Sequence, residues 1–81
     1  MAQFVATFHT HLAALRSCRA VQRAGDPGAR MAPVPRSLSS SCGTCLFYQG
    51  EDPVLSLLDH DLEAVYRTEE KGYVLVHEAV E

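Results

Sequence analysis

The hydrophobic positions of this chain change period along its length, and each change marks an element. Residues 3–7, extendable to 9, are rich in Phe, Val and Thr and read as a short strand. From 11 to 24 the period becomes helical. Leu12, Leu15, Cys18 and Val21 share one stripe, widened by Ala14 and Ala24, while Arg16, Arg19, Gln22 and Arg23 take the other face. Thr10 fits the N-cap of this helix. Gly25-Asp26-Pro27-Gly28 ends it, with glycine just past the last turn and proline beyond.

Residues 29–34 read as a second strand, bounded by Pro33 and Pro35 or placed by them at a sheet edge. A polar loop over 37–41 follows, with Leu38 as its one apolar anchor, and Thr-Cys-Leu-Phe-Tyr over 44–49 reads as a third strand. Gly50-Glu51-Asp52-Pro53 has the form of a helix start, with Asp52 at the N-cap and Pro53 in the first helical position. Val54, Leu55, Leu58 and Leu62 would then form the buried stripe of a second helix. Residues 64–68 read as a fourth strand, 69–72 as a turn, and 73–77 as a fifth strand closing a hairpin.

That order predicts an α+β fold: a ferredoxin-like βαββαβ two-layer sandwich, two helices on one face of an antiparallel sheet, with an extra C-terminal strand forming a hairpin. Eighty-one residues make one domain, 1–81. A chain of that length buries only about 60% of the surface its unfolded form exposes, so the core is limited to a couple of side-chain layers.

Charge narrows the function. The net charge is −3, and five of the seven basic residues lie between Arg16 and Arg36. A local anion site is compatible with this; the basic stripe of a nucleic-acid binder is not. The C-terminal part is acidic, from Glu51 and Asp52 through Asp59, Asp61 and Glu63 to Glu81. No apolar run reaches the length of a membrane span. Gln3-Phe4-Val5-Ala6 near the start has neither a basic stretch nor a cleavage site, so a cytoplasmic protein is expected.

The chemistry on offer is that of thiols. Cys42 and Cys45 form a C-x-x-C inside a segment of turn residues, hydroxyls and one arginine that runs from Pro33 to Cys45. A thiol becomes a good nucleophile where positive charge or oriented N–H groups favour its anion. Ser39, Ser40 and Ser41 permit a tight loop, and Gly43 permits a positive φ. Successive N–H groups of such a loop can converge on one anion, with Arg36 near enough in sequence to add charge. The expected anion is a thiolate, a persulfide or a bound oxyanion at Cys42. Cys45 starts a strand and is either a resolving thiol or a packing residue. A Cys42–Cys45 disulfide requires Cys42 to sit in the loop ahead of that strand, because positions three apart on a strand face opposite ways. Cys18, on its apolar stripe, reads as a small core residue.

No metal site or cofactor is expected: Cys18, His9 and His11 could complete a zinc site with the pair, yet nothing in their spacing selects them. His9-x-His11 reads as a solvated turn, and His60, between Asp59 and Asp61, as part of a solvated face. No nucleotide loop, nucleophile elbow or paired-carboxylate pattern is present.

Phe8-His9-Thr10 ahead of a helix with Ala14-Leu15-Arg16, then Pro33-Val34-Pro35-Arg36, Leu38-Ser39-Ser40, Cys42-Gly43 and Val65-Tyr66-Arg67, resembles the Se/S carrier protein-like family, catalogued as a bacterial domain of unknown function. The resemblance covers residues 3–68; 69–81 reads as an extension. It implies a small cytoplasmic protein of selenium metabolism or sulfur transfer that holds sulfur or selenium on Cys42 as a persulfide or selenopersulfide. Its implied partners are a donor such as a cysteine desulfurase and an acceptor enzyme. A stoichiometric carrier of this kind is not itself a catalyst. Two other readings stand beside it: a regulatory, protein-interaction or anion-binding module, and a dithiol redox protein using Cys42 and Cys45. A homodimer through a sheet edge is a further expectation.

Overall fold

The computed structural model describes residues 2–79. Its elements are β1 (Ala2–Phe8), α1 (His11–Arg23), β2 (Arg30–Pro33), β3 (Thr44–Gly50), a short 3-10 turn (Leu55–Leu57), β4 (Leu62–Glu69) and β5 (Gly72–Glu78). The five strands form one antiparallel sheet in the order β2-β3-β1-β4-β5. The α+β class, the five strands and the first helix fall where the hydrophobic pattern puts them.

β1 is the middle strand, and every residue from Phe4 to Phe8 is buried. Strand alternation divides them between the faces. Phe4, Ala6 and Phe8 face α1 and join Leu46 and Tyr48 of β3 with Leu62 and Val65 of β4 in the core. Val5 and Thr7 lie on the other face beside Cys45 and Ala64, all buried.

Thr10 caps α1 as expected, its Oγ1 accepting from the N–H of Ala13 at 3.1 Å. Gly25, at φ +124°, lets the chain turn out of the helix. The buried stripe is rotated from the predicted one: Ala13, Ala14, Ser17, Cys18 and Val21 are buried, whereas Leu12 is 52% exposed. The sheet supplies the large side chains, so the helix contributes small ones and packs close. Ser17 tolerates burial because its Oγ accepts from the N–H of Asp59 at 2.8 Å.

The second helix predicted after Asp52 does not form, which corrects the expected two-helix βαββαβ pattern. Asp52 caps as expected, but onto a turn: its Oδ1 accepts from the N–H of Val54 at 2.7 Å. Val54 then takes φ +47°, a left-handed conformation costly for a β-branched residue, and helical propagation is blocked at once. Only the 3-10 turn Leu55–Leu57 follows before Leu58 becomes extended. The apolar residues are still used, with Val54, Leu57 and Leu58 packing against the core from this turn. Leu62, expected on the helix, begins β4 and is buried in the core.

Two irregularities shape the sheet. On β4, Ala64 pairs with Thr7 but Leu62 pairs with Phe8, so Glu63 is the extra residue of a bulge. On β5, Val65 pairs with His77 and Tyr66 with Leu75, leaving Val76 as the extra residue. β5 is an outer strand, and Val74, Leu75 and Val76 are 44%, 48% and 38% exposed.

Phe8 is the largest fully buried side chain. Phe8→Ala should therefore cost about 3–5 kcal/mol, much of the roughly 4–12 kcal/mol available to a domain of this size. Urea unfolding followed by circular dichroism measures it. A loss below about 1 kcal/mol would show that the core closes over the gap.

Candidate functional site

The loop between β2 and β3 is tied at its base, where the N–H of Val34 donates to the carbonyl of Gly43 at 3.1 Å. Within it, turns close from Leu38 N–H to Pro35 O at 3.0 Å and from Gly43 N–H to Ser40 O at 3.3 Å. Gly43 takes φ +72°, the positive value expected of it, and returns the chain to β3. Cys42 thus stands in the loop ahead of the strand and is half-buried.

The anion held by this loop is the chain's own Glu63. The bulge in β4 releases Glu63 from strand pairing, and its carboxylate reaches the loop. Oε1 accepts from the N–H of Ser41 at 3.0 Å and from Ser40 Oγ at 3.2 Å, and Oε2 accepts from Ser41 Oγ at 2.9 Å. His9, just past β1, places Nδ1 3.6 Å from Oε2. The N–H and hydroxyl of Ser41, with the Ser40 hydroxyl shared between Glu63 and the Phe8 carbonyl, clamp the loop to the sheet.

Cys42 also contacts Ser40. Its Sγ is 3.7 Å from Ser40 Oγ and donates to the carbonyl of Thr44 at 3.4 Å. Ser40 Oγ is crowded with acceptors: the Phe8 carbonyl at 2.9 Å, the Thr44 carbonyl at 3.5 Å and Glu63 Oε1. One hydroxyl proton cannot serve all three, so Ser40 is a branch point between thiol and carboxylate.

With that geometry stands one match. Residues 3–71 fit the family model described as Putative Se/S carrier protein-like. The chain belongs to this family. No curated protein and no solved structure matches it. The family match ends one residue before β5, so that strand lies outside the matched part.

Of the three free cysteines of this Se/S carrier-like chain, Cys42 is half-buried, whereas Cys18, 6% exposed, and Cys45, fully covered, are buried. Burial pushes the Cys18 thiol up, and its Sγ donates to the Ala29 carbonyl at 3.7 Å. Burial also pushes the Cys45 thiol up to about 11, against a smaller pull from Arg30 and with a further push from Cys42. Cys45 Sγ donates to the Pro33 carbonyl at 3.7 Å, a packing role on the sheet.

Of the residues expected to surround the thiol, Ser40 and Ser41 are brought together with Cys42, and Gly43 sets the turn. Ser39 is exposed and lines, with His9 and Glu63, an open depression of about 280 Å³. Arg36 is exposed and makes no ion pair among the described residues. Glu63 and His9 are the site residues that sequence reasoning passed over. The β-bulge that aims Glu63 has no composition signal, and Glu63 had read as one more member of an acidic surface. Asp59, His60 and Asp61 bring ligand atoms within 4.8 Å of one another, but Asp59 already accepts from the N–H of Asp61 at 3.0 Å and faces Arg16 at 3.9 Å. That group is a turn with a solvated rim.

The raised Cys45 thiol couples stability to alkaline pH. Its folded value lies above that of an unfolded thiol, so the folded state keeps a proton that the unfolded chain has lost. Stability should fall by about 2–3 kcal/mol as the pH rises from about 9 to 11. Urea midpoints across that range measure it, and Cys45→Ala should flatten the decline whatever its effect on the absolute midpoint. An equal slope in both proteins would remove Cys45 as its source.

Proposed function

We propose that this protein carries sulfur or selenium on Cys42, as a persulfide or selenopersulfide, between a donor such as a cysteine desulfurase and an acceptor enzyme. The observation that carries the reading is the coincidence of family membership with a clamped loop bearing the least buried of the three thiols. A carrier needs one thiol that partner enzymes can reach and a frame that keeps it from collapsing onto its neighbours. The clamp of Ser40 and Ser41 on Glu63 supplies the frame. A dithiol mechanism is less well supported, because the buried and less acidic Cys45 is a poor attacking group at neutral pH.

A ferredoxin-like strand arrangement, with a 3-10 turn in place of the second helix, is the finer fold reading that the sheet supports. β1 and β2 are both antiparallel to β3 and are joined through α1, and β4 flanks β1 on its other side. β5 extends this arrangement at the β4 edge.

Incubation with a persulfide donor, followed by mass spectrometry of the intact protein and its peptides, tests the carrier function. The expected result is a gain of one sulfur or selenium on the Cys42 peptide and none in Cys42→Ser. Equal loading of Cys42→Ser would overturn the assignment.

A second reading, an interaction module, is favoured by the exposed Val74, Leu75 and Val76 on an outer strand. The other outer strand, β2, is four residues long and ends in Pro33, which blunts it. In this reading two copies meet along β5. Light scattering over a concentration series should then show a dimer that Leu75→Lys dissociates. A monomer throughout that series would remove the homodimer.

A further inference from the structure

We propose that Glu63 takes the proton of Cys42 through the hydroxyl of Ser40 when the thiol attacks a sulfur or selenium donor. The inference rests on the reading of Cys42 as the carrier thiol. It is carried by an unbroken line of polar atoms: Cys42 Sγ to Ser40 Oγ at 3.7 Å, Ser40 Oγ to Glu63 Oε1 at 3.2 Å, and Glu63 Oε2 to His9 Nδ1 at 3.6 Å.

The thiol must shed its proton to become a nucleophile. Its direct neighbours are the Thr44 carbonyl, which cannot hold a proton, and the Ser40 hydroxyl, which can pass one on. Ser40 offers its own proton to the Phe8 carbonyl at 2.9 Å or to Glu63. The Phe8 contact is the shorter, so the transfer requires the hydroxyl to turn from Phe8 to Glu63, a rotation about one side-chain bond. The end of the line opens outward: the His9 side chain is 43% exposed and that of Glu63 is 22% exposed.

The step balances without an outside oxidant. The Cys42 proton moves to Ser40 Oγ as the Ser40 proton moves to Glu63 Oε1. The sulfur electron pair forms a bond to the outer sulfur of a protonated donor persulfide. The bond within the donor breaks, and its inner sulfur leaves with that electron pair as a thiolate. The outer sulfur keeps its hydrogen, so Cys42 becomes a protonated persulfide and Glu63 a neutral carboxyl. With a selenium-bearing donor, selenium takes the place of the outer sulfur.

Glu63 is a positioning residue in this scheme, because it reaches the sulfur only through Ser40. His9 faces Glu63 from beyond β1, Tyr66 on β4 and Glu78 on β5 line the same depression, and Cys42 connects to Glu63 through Ser40.

The test measures the alkylation rate of Cys42 with iodoacetamide, so it needs no cargo and is independent of whether the protein loads sulfur. The full chain is used with peptide mass readout at Cys42. At one fixed pH, Glu63→Gln and Ser40→Ala should alkylate on the order of a hundredfold more slowly than the wild type, the loss expected when a general base is removed. A carboxylate that only placed negative charge near the thiol would, once removed, favour the thiolate, and Glu63→Gln would react faster. Glu63→Gln keeps an oxygen that can accept from Ser41, so a purely structural role would leave its rate unchanged. Glu63→Asp should recover part of the wild-type rate. Urea midpoints identify any variant whose fold is lost, and if Glu63→Gln is one, Ser40→Ala carries the same test. An unchanged or faster rate in the folded variant would overturn the inference.

Discussion

The burial of β1 on both faces is the constraint on which the rest of the molecule depends. A middle strand has every backbone group engaged by neighbours, and Phe4 to Phe8 leave almost no surface to water. With one face committed to α1 and the other to Cys45 and Ala64, the register of β3 and β4 is fixed, since a slip by one residue would reverse every side chain. The candidate site sits at the end of this rigid strand. The Phe8 carbonyl holds Ser40, and the N–H of His9 donates to the Asp61 carbonyl at 2.9 Å. A loop that would otherwise wander is fastened to the best-packed part of the protein.

The bulge in β4 converts that rigidity into a site. In a regular strand, Glu63 would occupy a place in the alternation between Leu62 and Ala64. As an extra residue it is turned toward the loop, and one carboxylate gathers the N–H and two hydroxyls of Ser40 and Ser41. The sequence pointed to successive backbone N–H groups converging on an anion at Cys42; instead one N–H, that of Ser41, joins two hydroxyls on a side chain brought from 22 residues away. The loop is therefore prefolded around an internal charge, with Cys42 held beside it.

Strands, the first helix and its cap were legible because each rests on a local signal: β-branched and aromatic runs, a helical stripe, a threonine and a glycine at the ends. The second helix misled because Asp52-Pro53 is an equally good opening for a turn, and the left-handed Val54 that decides between them leaves no mark in the pattern. The rotated face of α1 was hidden for a related reason. Leu12 and Leu15 are the more hydrophobic choices, but closeness to a sheet of large side chains selects Ala13, Ala14 and Ser17 instead. Cys42 could be singled out from its polar neighbours, and Cys45 could not be resolved until its burial was seen. Glu63 and His9 were beyond reach, since their role depends on long-range register rather than on anything near them in sequence.

The internal carboxylate also bears on what happens after loading in the proposed scheme. An anionic terminal sulfur beside an ionised Glu63 would be repelled in a partly shielded site, where charges are less screened than in water. If Glu63 accepts the thiol proton, it is neutral when the new adduct forms. The negative charge has left with the donor thiolate, so the adduct forms with no negative charge beside it. The protonated carboxyl has meanwhile become a hydrogen-bond donor. Ser40 and Ser41, oriented by the carboxylate beforehand, are then free to turn their hydroxyls toward the adduct. The clamp that holds the empty loop and the donors that would steady the loaded one are thus the same groups in two protonation states.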